Sequence, residues 1–340
     1  MPECGSQCWL CDLPIRFDTY KGCSHGCTYC FVQRKSSLEV GLNESPERLY
    51  EFTQGKRNQK TVWADWDIPI HFGGMSDPFQ PCEKQHKKTL EALKILAKTQ
   101  YPCIISTKGK LCVEEPYISL IEQGNIMMQI SAVCDKYDKL EPGAPAFEER
   151  LEMIRILAKK SKRVVVRCQP YIPDIFEDVK SNVKRFADAG THGVIFEGMK
   201  FVKSKPGLVK VAGDNVFPYK RLKHDFERLK QECNKHGLKF YSGENRLRWM
   251  GDSLTCCGCA GLDGFKANTF NLSHIVNGDI AEPSQAMKER DSGVCFHSIY
   301  QTAGLFRFIK GKSFVEMMLW TGQTKRKFVE DVLGVTDRKR

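Results

Sequence analysis

The strongest constraint on the fold is an alternation of two residue periods through the first two-thirds of the chain. Short apolar and β-branched runs at 13–20, 68–72, 103–107, 126–133, 164–168, 193–196 and 238–241 read as strands. Between them, 84–98, 114–122, 147–159, 175–189 and 219–236 read as helices; Leu90, Leu93, Leu96 and Ala97 share one face of theirs, as do Leu151, Ile154 and Leu157. Strands alternating with helices imply parallel βαβ units, and six or seven of them fit an incomplete (β/α) barrel or a doubly wound sheet. Loops that follow such strands gather on one face, where barrel active sites sit. The regular pattern stops after Tyr241: 253–264 is a loop rich in cysteine and glycine, and 314–333 reads as terminal helices broken near Gly322. This divides the chain into a cysteine-containing tail (1–12), a barrel (13–245) and an extension with a cysteine loop and helices (246–340). Its 340 residues suit one large α/β domain with an appendage.

Directly after the first strand, Cys23, Cys27 and Cys30 follow one another with gaps of three and two residues. Three thiolates so close in sequence can hold one face of a 4Fe-4S cube, which leaves one iron without protein sulfur and open to a ligand. The alternative is a closed zinc knuckle with His25 as the fourth ligand.

The pattern Cys-x3-Cys-x2-Cys, with Tyr29 just before its last cysteine, resembles the signature of the radical S-adenosylmethionine (radical SAM) enzymes. The resemblance implies that Cys23, Cys27 and Cys30 ligate a 4Fe-4S cluster and that S-adenosylmethionine binds its open iron. One electron, from a donor such as flavodoxin or ferredoxin, then yields a 5'-deoxyadenosyl radical that abstracts hydrogen from a substrate. It also selects the barrel, a partial (β/α)6 form with an open side. Gly73 and Gly74, followed by Ser76 and Asp77, stand after the second strand where the family has its glycine-rich cofactor loop; two glycines let a backbone approach a ligand, or form a plain turn. Ser106, Lys108, Ser131 and Arg167, at the ends of later strands, are similar in position to the family's ribose and carboxylate contacts, and the Arg167 guanidinium suits a carboxylate. Each serine equally suits a strand-end hydrogen bond. Residues 16–20 and 76–81 resemble the spore photoproduct lyase-like branch, over about 13–200. Its named member repairs a thymine dimer in DNA, with a cysteine returning hydrogen to the product; the branch also holds members of other activity.

A second Cys-x3-Cys-x2-Cys, formed by Cys4, Cys8 and Cys11, has Leu10 where the first set has an aromatic. With Cys256, Cys257 or Cys259 it could complete an auxiliary cluster or a zinc site, or it could be a tail of free thiols. Cys134 and Cys168 read as buried small side chains. Sixteen cysteines in a long chain without a recognisable signal segment favour metal binding in a reducing compartment over disulfides, and the cytoplasm is the expected location. No apolar run is long enough to span a membrane.

The formal charge of +11 points weakly to a polyanionic partner. The stretch 200–223 carries Lys200, Lys203, Lys205, Lys210, Lys220, Arg221 and Lys223 against Asp214 alone, beside Phe201, Phe217 and Tyr219, and following a strand it belongs at the barrel mouth. These readings converge on a radical SAM enzyme of lyase, isomerase or transferase type acting on a nucleobase or a group attached to nucleic acid. Radical modification of a peptide or small metabolite is the first alternative; a non-catalytic iron-sulfur or zinc module that binds nucleic acid is the second.

Overall fold

The computed structural model of the chain describes residues 3–4, 11–13, 15–34, 39–54, 68–211 and 214–267. Its strands are β1 (Glu3–Cys4), β2 (Ile15–Phe17), β3 (Tyr20–Lys21), β4 (Gly41–Leu42), β5 (Ile70–Phe72), β6 (Cys103–Thr107), β7 (Ile126–Ser131), β8 (Arg163–Tyr171), β9 (Gly193–Gly198), β10 (Lys200–Phe201), β11 (Val209–Val211), β12 (Asp214–Val216) and β13 (Lys239–Ser242). The α-helices are α1 (Pro46–Thr53), α2 (Glu83–His86), α3 (Lys88–Thr99), α4 (Tyr117–Gln123), α5 (Phe147–Lys160), α6 (Phe176–Asp188) and α7 (Tyr219–Lys235). The terminal helices expected at 314–333 lie outside the described residues.

The main sheet runs β1-β2-β5-β6-β7-β8-β9-β13. Every neighbouring pair from β2 to β13 is parallel, and only β1 is antiparallel to its neighbour. Seven parallel strands, one more than the six expected, curve as a partial barrel with β1 and β13 as its edges. Unexpected from sequence are the β1 pairing of the N-terminal segment, helix α1, and a small antiparallel sheet, β10-β12-β11, that leaves the end of β9.

Each strand sorts its residues between two faces because side chains alternate with a period of two. Phe17, Phe72, Ile105, Met128, Ile130, Val164, Val166 and Phe196 face the helices in one large core. On the inner face the same alternation changes character along each strand. Its first inward positions are apolar, and Ile104, Met127, Val165, Ile195 and Tyr241 form a second core. The later inward positions are Ser106 on β6, Gln129 on β7, Arg167 and Gln169 on β8, and Glu197 on β9. The strand sequences therefore build an apolar floor at their N-terminal ends and a polar chamber at their C-terminal ends.

The single helix expected over 84–98 is two, because Lys87 adopts a left-handed conformation with φ of 53°. The break serves the buried carboxylate of Glu83. It accepts the backbone N–H groups of Thr89 and Leu90 in the first turn of α3, each at 2.9 Å, where orphan donors and the helix dipole both favour an anion. The hydroxyls of Tyr117, at 3.0 Å, and of Tyr20 complete its shell. We expect Glu83→Ala to lower stability by about 3 kcal/mol, since four buried donors lose their acceptor, and Glu83→Gln to cost less than half of that. Chemical denaturation of both variants measures the two values.

Candidate active site

Strand β2 delivers the chain to the C-terminal end of the sheet, where β3 pairs with β4 and the cysteine loop begins. The loop is held from three sides. Ser76 Oγ donates to Gly22 O at 2.7 Å, and Gln80 accepts the Ser24 N–H at 3.0 Å. Thr28 N–H donates to Leu140 O at 2.9 Å, and the Tyr29 hydroxyl donates to Glu141, itself paired with Arg150 at 2.5 Å. His25 Nδ1 lies 2.8 Å from Gly143 O and its Nε2 lies 3.2 Å from Asp77 Oδ2. With both ring nitrogens facing these partners, His25 supports the loop rather than completing a zinc knuckle.

Asp77 is the hub of this support. It is buried and also accepts from Phe79 N–H, Thr107 Oγ1 and Lys108 N–H at 2.9, 2.7 and 2.7 Å. Burial alone would raise its carboxyl, but His25 and these donors outweigh that and hold it down at about 2. Burial likewise opposes a charge on His25, and Asp77 prevails, so its pKa is raised. Ser76 and Asp77, expected beside the cofactor, thus spend their side chains on fixing the cysteine loop.

Cys23, Cys27 and Cys30 are reduced cysteines on this pinned loop, none of them in a disulfide. Burial, then the Asp77 charge, pushes Cys23 up to about 12, and burial raises Cys27 against the opposing pull of Lys108. Lys108 Nζ lies 5.8 Å from the Tyr29 ring centre and 3.8 Å from Glu141, so a cation stands beside the loop. Three thiols on one anchored loop, next to that cation, fit a group bound through three thiolates that releases their protons on binding. Among the described residues, no three Cys, His, Asp or Glu side chains are already gathered as a metal cage.

The polar chamber lies next to this loop on the inner face. His71 Nε2 and Ser106 Oγ are 2.8 Å apart, and Ser106 Oγ donates to Gln129 Oε1 at 2.8 Å. Arg167 Nη1 donates to the same oxygen at 2.8 Å, while its Nε donates to Gln169 at 3.1 Å and its Nη2 stands 4.0 Å from Glu197. Burial, then the nearby guanidinium groups of Arg167 and Arg16, holds His71 well below the usual imidazole range, so it is neutral. Ser106 and Arg167 therefore belong to one chain of contacts. Ser131, opposite Arg167 in the register, gives its carbonyl to Arg150 at 2.9 Å. Arg16, His71, Gln129, Gln169 and Glu197 escaped the sequence reading, although a single polar residue between two apolar ones, as in Ile70-His71-Phe72, marks an inward position.

The two glycines after β5 have different reasons. Gly73 has φ of +86°, and a Cβ there would lie 2.4 Å from Ser106 O, so packing against β6 demands it. At Gly74 a Cβ would meet only Arg16 and His71 side chains at 3.6 Å, so this position opens toward the chamber. The following N–H groups turn to a buried carboxylate, Asp18, whose Oδ1 accepts from Met75 and Ser76 at 3.1 and 3.2 Å. Burial pushes Asp18 up to about 7 against these donors.

At the mouth, the β10–β12 sheet exposes Lys203, Lys205 and Lys210. The rest of the basic stretch is less available than its sequence suggests. Lys200 pairs with Glu197 at 3.1 Å, Arg221 lies 3.8 Å from Asp225, and Lys223 pairs with Glu227. Phe217 and Tyr219 pack against the main core, and the Phe201 ring is edge-on to Phe217 at 5.4 Å. Cys103, Cys112, Cys134, Cys168 and Cys233 are buried in the core behind the sheet, away from the chamber.

The second group of thiols sits at the opposite end of the strands. Cys257 and Cys259 belong to the apolar floor, and Cys11 packs against it. Cys8 and the Cys4 side chain lie outside the described residues.

No protein-family model matches the chain. Over 218 residues, 57% of this chain and 62% of the relative, the sequence is 26% identical to uncharacterized proteins of Mycobacterium tuberculosis and Mycobacterium bovis. The match thus spans under two-thirds of those relatives' length. Among solved structures, spore photoproduct lyase with bound AdoMet and dinucleoside spore photoproduct superposes with a TM-score of 0.56 at 15% identity, covering 68% of this chain and 76% of that one. Streptococcus suis SuiB bound to precursor peptide SuiA gives 0.50 at 11% identity, over 68% of this chain and 49% of that one. The chain has an α/β fold of the partial-barrel kind. It is the fold of spore photoproduct lyase, the branch that its motifs resemble.

Asp18 gives this site a pH signature. A carboxyl that titrates at about 7 in the folded chain and near 3.9 in the unfolded one takes up a proton on folding between those values. Stability therefore falls as pH rises from about 4 to 7, by at most about 4 kcal/mol for three pKa units. Asp18→Asn is expected to flatten that part of the stability curve, which denaturation at a series of pH values records.

Proposed function

We propose that the chain is a radical SAM enzyme that acts on a nucleobase or a group attached to nucleic acid. The observation that carries the reading is the joint placement of three cysteines on an anchored loop and a polar chamber at the same end of a parallel sheet. A 4Fe-4S cluster held by Cys23, Cys27 and Cys30, when bound, supplies the electron that cleaves S-adenosylmethionine into methionine and a hydrogen-abstracting 5'-deoxyadenosyl radical.

The chain's own residues do the binding and positioning. Arg167, braced by Gln129 and Gln169, offers the guanidinium for the methionyl carboxylate. Gly74, which opens toward the chamber, offers backbone to the methionyl amine, and the Ser106 hydroxyl, within its chain of contacts, offers a partner for a ribose hydroxyl. Lys108 balances negative charge beside the cysteine loop. The apolar floor closes the chamber from below, which keeps water from a reactive radical. Spore photoproduct lyase binds a dinucleoside photoproduct, and Lys203, Lys205 and Lys210 at the mouth suit phosphates. The peptide alternative is supported only by SuiB, which binds a precursor peptide.

The deciding experiment is anaerobic reconstitution followed by a screen of deuterated nucleosides, DNA, RNA and peptides for deuterium in 5'-deoxyadenosine. Cofactor cleavage without label from any nucleic-acid component, but with label from peptide, would reverse the substrate assignment. We expect Cys23→Ala, Cys27→Ala and Cys30→Ala each to abolish cleavage, read as loss of 5'-deoxyadenosine by chromatography. Arg167→Lys is expected to weaken S-adenosylmethionine binding about tenfold, because the ammonium loses the bidentate fork, with Arg167→Ala weaker still in equilibrium titration. Replacing Lys203, Lys205 and Lys210 together by Ala should lower affinity for single strands and reduce the slope of log K against log salt by about 2. An unchanged slope would separate this surface from nucleic acid.

A further inference from the structure

The floor of the barrel contains a concentration of thiols that the proposed chemistry does not use. Cys257 and Cys259 are buried with their Sγ atoms 3.2 Å apart. That is well beyond a disulfide bond of about 2.05 Å. It is the contact of two hydrogen-bonded thiols, which need part by only about half an ångström to reach the roughly 3.8 Å between neighbouring sulfurs of a tetrahedral tetrathiolate with metal–sulfur bonds of about 2.3 Å. Gly258 between them has φ of +81°, and a Cβ there would lie 2.9 Å from Val165 Cγ1, so the turn that brings the two sulfurs together is pressed against the sheet.

Two further cysteines belong to the same end of the barrel. Cys256 is the next residue, and Cys11 packs against the inner core that contains Cys257 and Cys259. One buried carboxylate ties the two chain segments together: Asp12 Oδ2 accepts the Cys256 N–H at 2.8 Å and pairs with buried Arg248 at 3.0 Å. Arg248 also donates to Leu254 O at 3.2 Å and to Asn245 at 2.8 Å. The loop is clamped from the sheet as well, since Arg163 Nη1 donates to Gly258 O and Ala260 O at 2.9 and 2.8 Å, and Gln129 Nε2 donates to Cys257 O at 2.7 Å. Packing alone asks for no thiol at four such positions.

We propose that Cys11, Cys256, Cys257 and Cys259 form a second, all-thiolate metal centre in the barrel floor, of the structural kind taken by zinc or by an iron-sulfur cluster. It joins segments 245 residues apart in sequence, Cys11 and Cys256. Metal binding there stabilises the fold, because the unfolded chain scatters ligands that the native chain keeps in one region and the metal draws together. Binding forms metal–sulfur bonds and releases thiol protons to solvent, with no change of oxidation state for zinc. The centre lies at the strand ends opposite the cysteine loop of the active site, and its existence is independent of the function proposed above.

The test uses the full chain prepared anaerobically. A Cys23→Ala/Cys27→Ala/Cys30→Ala variant is expected to retain about one zinc, or the iron and acid-labile sulfide of about one cluster, per chain. Adding Cys257→Ser and Cys259→Ser is expected to remove at least nine-tenths of it. Should the triple variant fail to fold, the same Cys257→Ser/Cys259→Ser change in the otherwise native chain is expected to lose one metal increment while the rest remains. Zinc against iron with sulfide tells the two kinds of centre apart. The proposal is overturned by a folded triple variant free of metal, by metal content that the two serine substitutions leave unchanged, or by recovery of a Cys257–Cys259 disulfide from metal-free native chain.

Discussion

The contact between Asp77 and His25 is the joint on which the site depends. Asp77 follows the fifth strand, His25 lies between the first two thiols, and the remaining acceptor capacity of Asp77 goes to Phe79, Thr107 and Lys108. A single buried anion therefore fixes the cysteine loop, the turn after β5 and the end of β6 relative to one another. A carboxylate this well satisfied is stable in the interior only while all its donors stay in place, so the loop inherits the rigidity of the sheet. A functional loop must be placed to within a fraction of an ångström, and here that placement comes from the scaffold.

The inner face divides one sheet between two tasks. Apolar residues at the first inward positions build a floor that excludes water, and polar residues at the next positions build a chamber, so the change of character runs along each strand rather than between strands. Charges in the chamber are matched side by side. Arg167 stands between Gln169 and Glu197, and Glu197 in turn engages Lys200 at the root of the small mouth sheet. Arg167, Glu197 and Lys200 thus form one row of charges from the chamber to the mouth sheet.

Much of this was legible in the sequence, for identifiable reasons. The parallel architecture followed from alternating periods, and the cysteine loop from its spacing, because both are local patterns. Contacts between distant segments were not legible. Nothing within residues 70–72 says that His71 meets Ser106, and nothing near Glu83 says that a left-handed Lys87 will turn the next helix onto its carboxylate. That the side chains of Ser76 and Asp77 reach Gly22 and His25, on a different strand's loop, was equally invisible in the sequence. The lysines of 200–223 read as one patch because sequence does not display Glu197, Asp225 and Glu227 opposite three of the basic residues.

Gln129 has a meaning that neither face alone reveals. Its oxygen points to the chamber, accepting from Ser106 and Arg167, while its nitrogen points to the floor and donates to Cys257 O. An amide carries an acceptor and a donor side by side at the tip of one flat, uncharged group. Glutamate would set an oxygen against the Cys257 carbonyl, and leucine would leave Arg167 to Gln169 alone. The polarity of this one group gives the barrel a sense of up and down, and it makes the two cysteine-bearing ends mechanical neighbours through a single planar group.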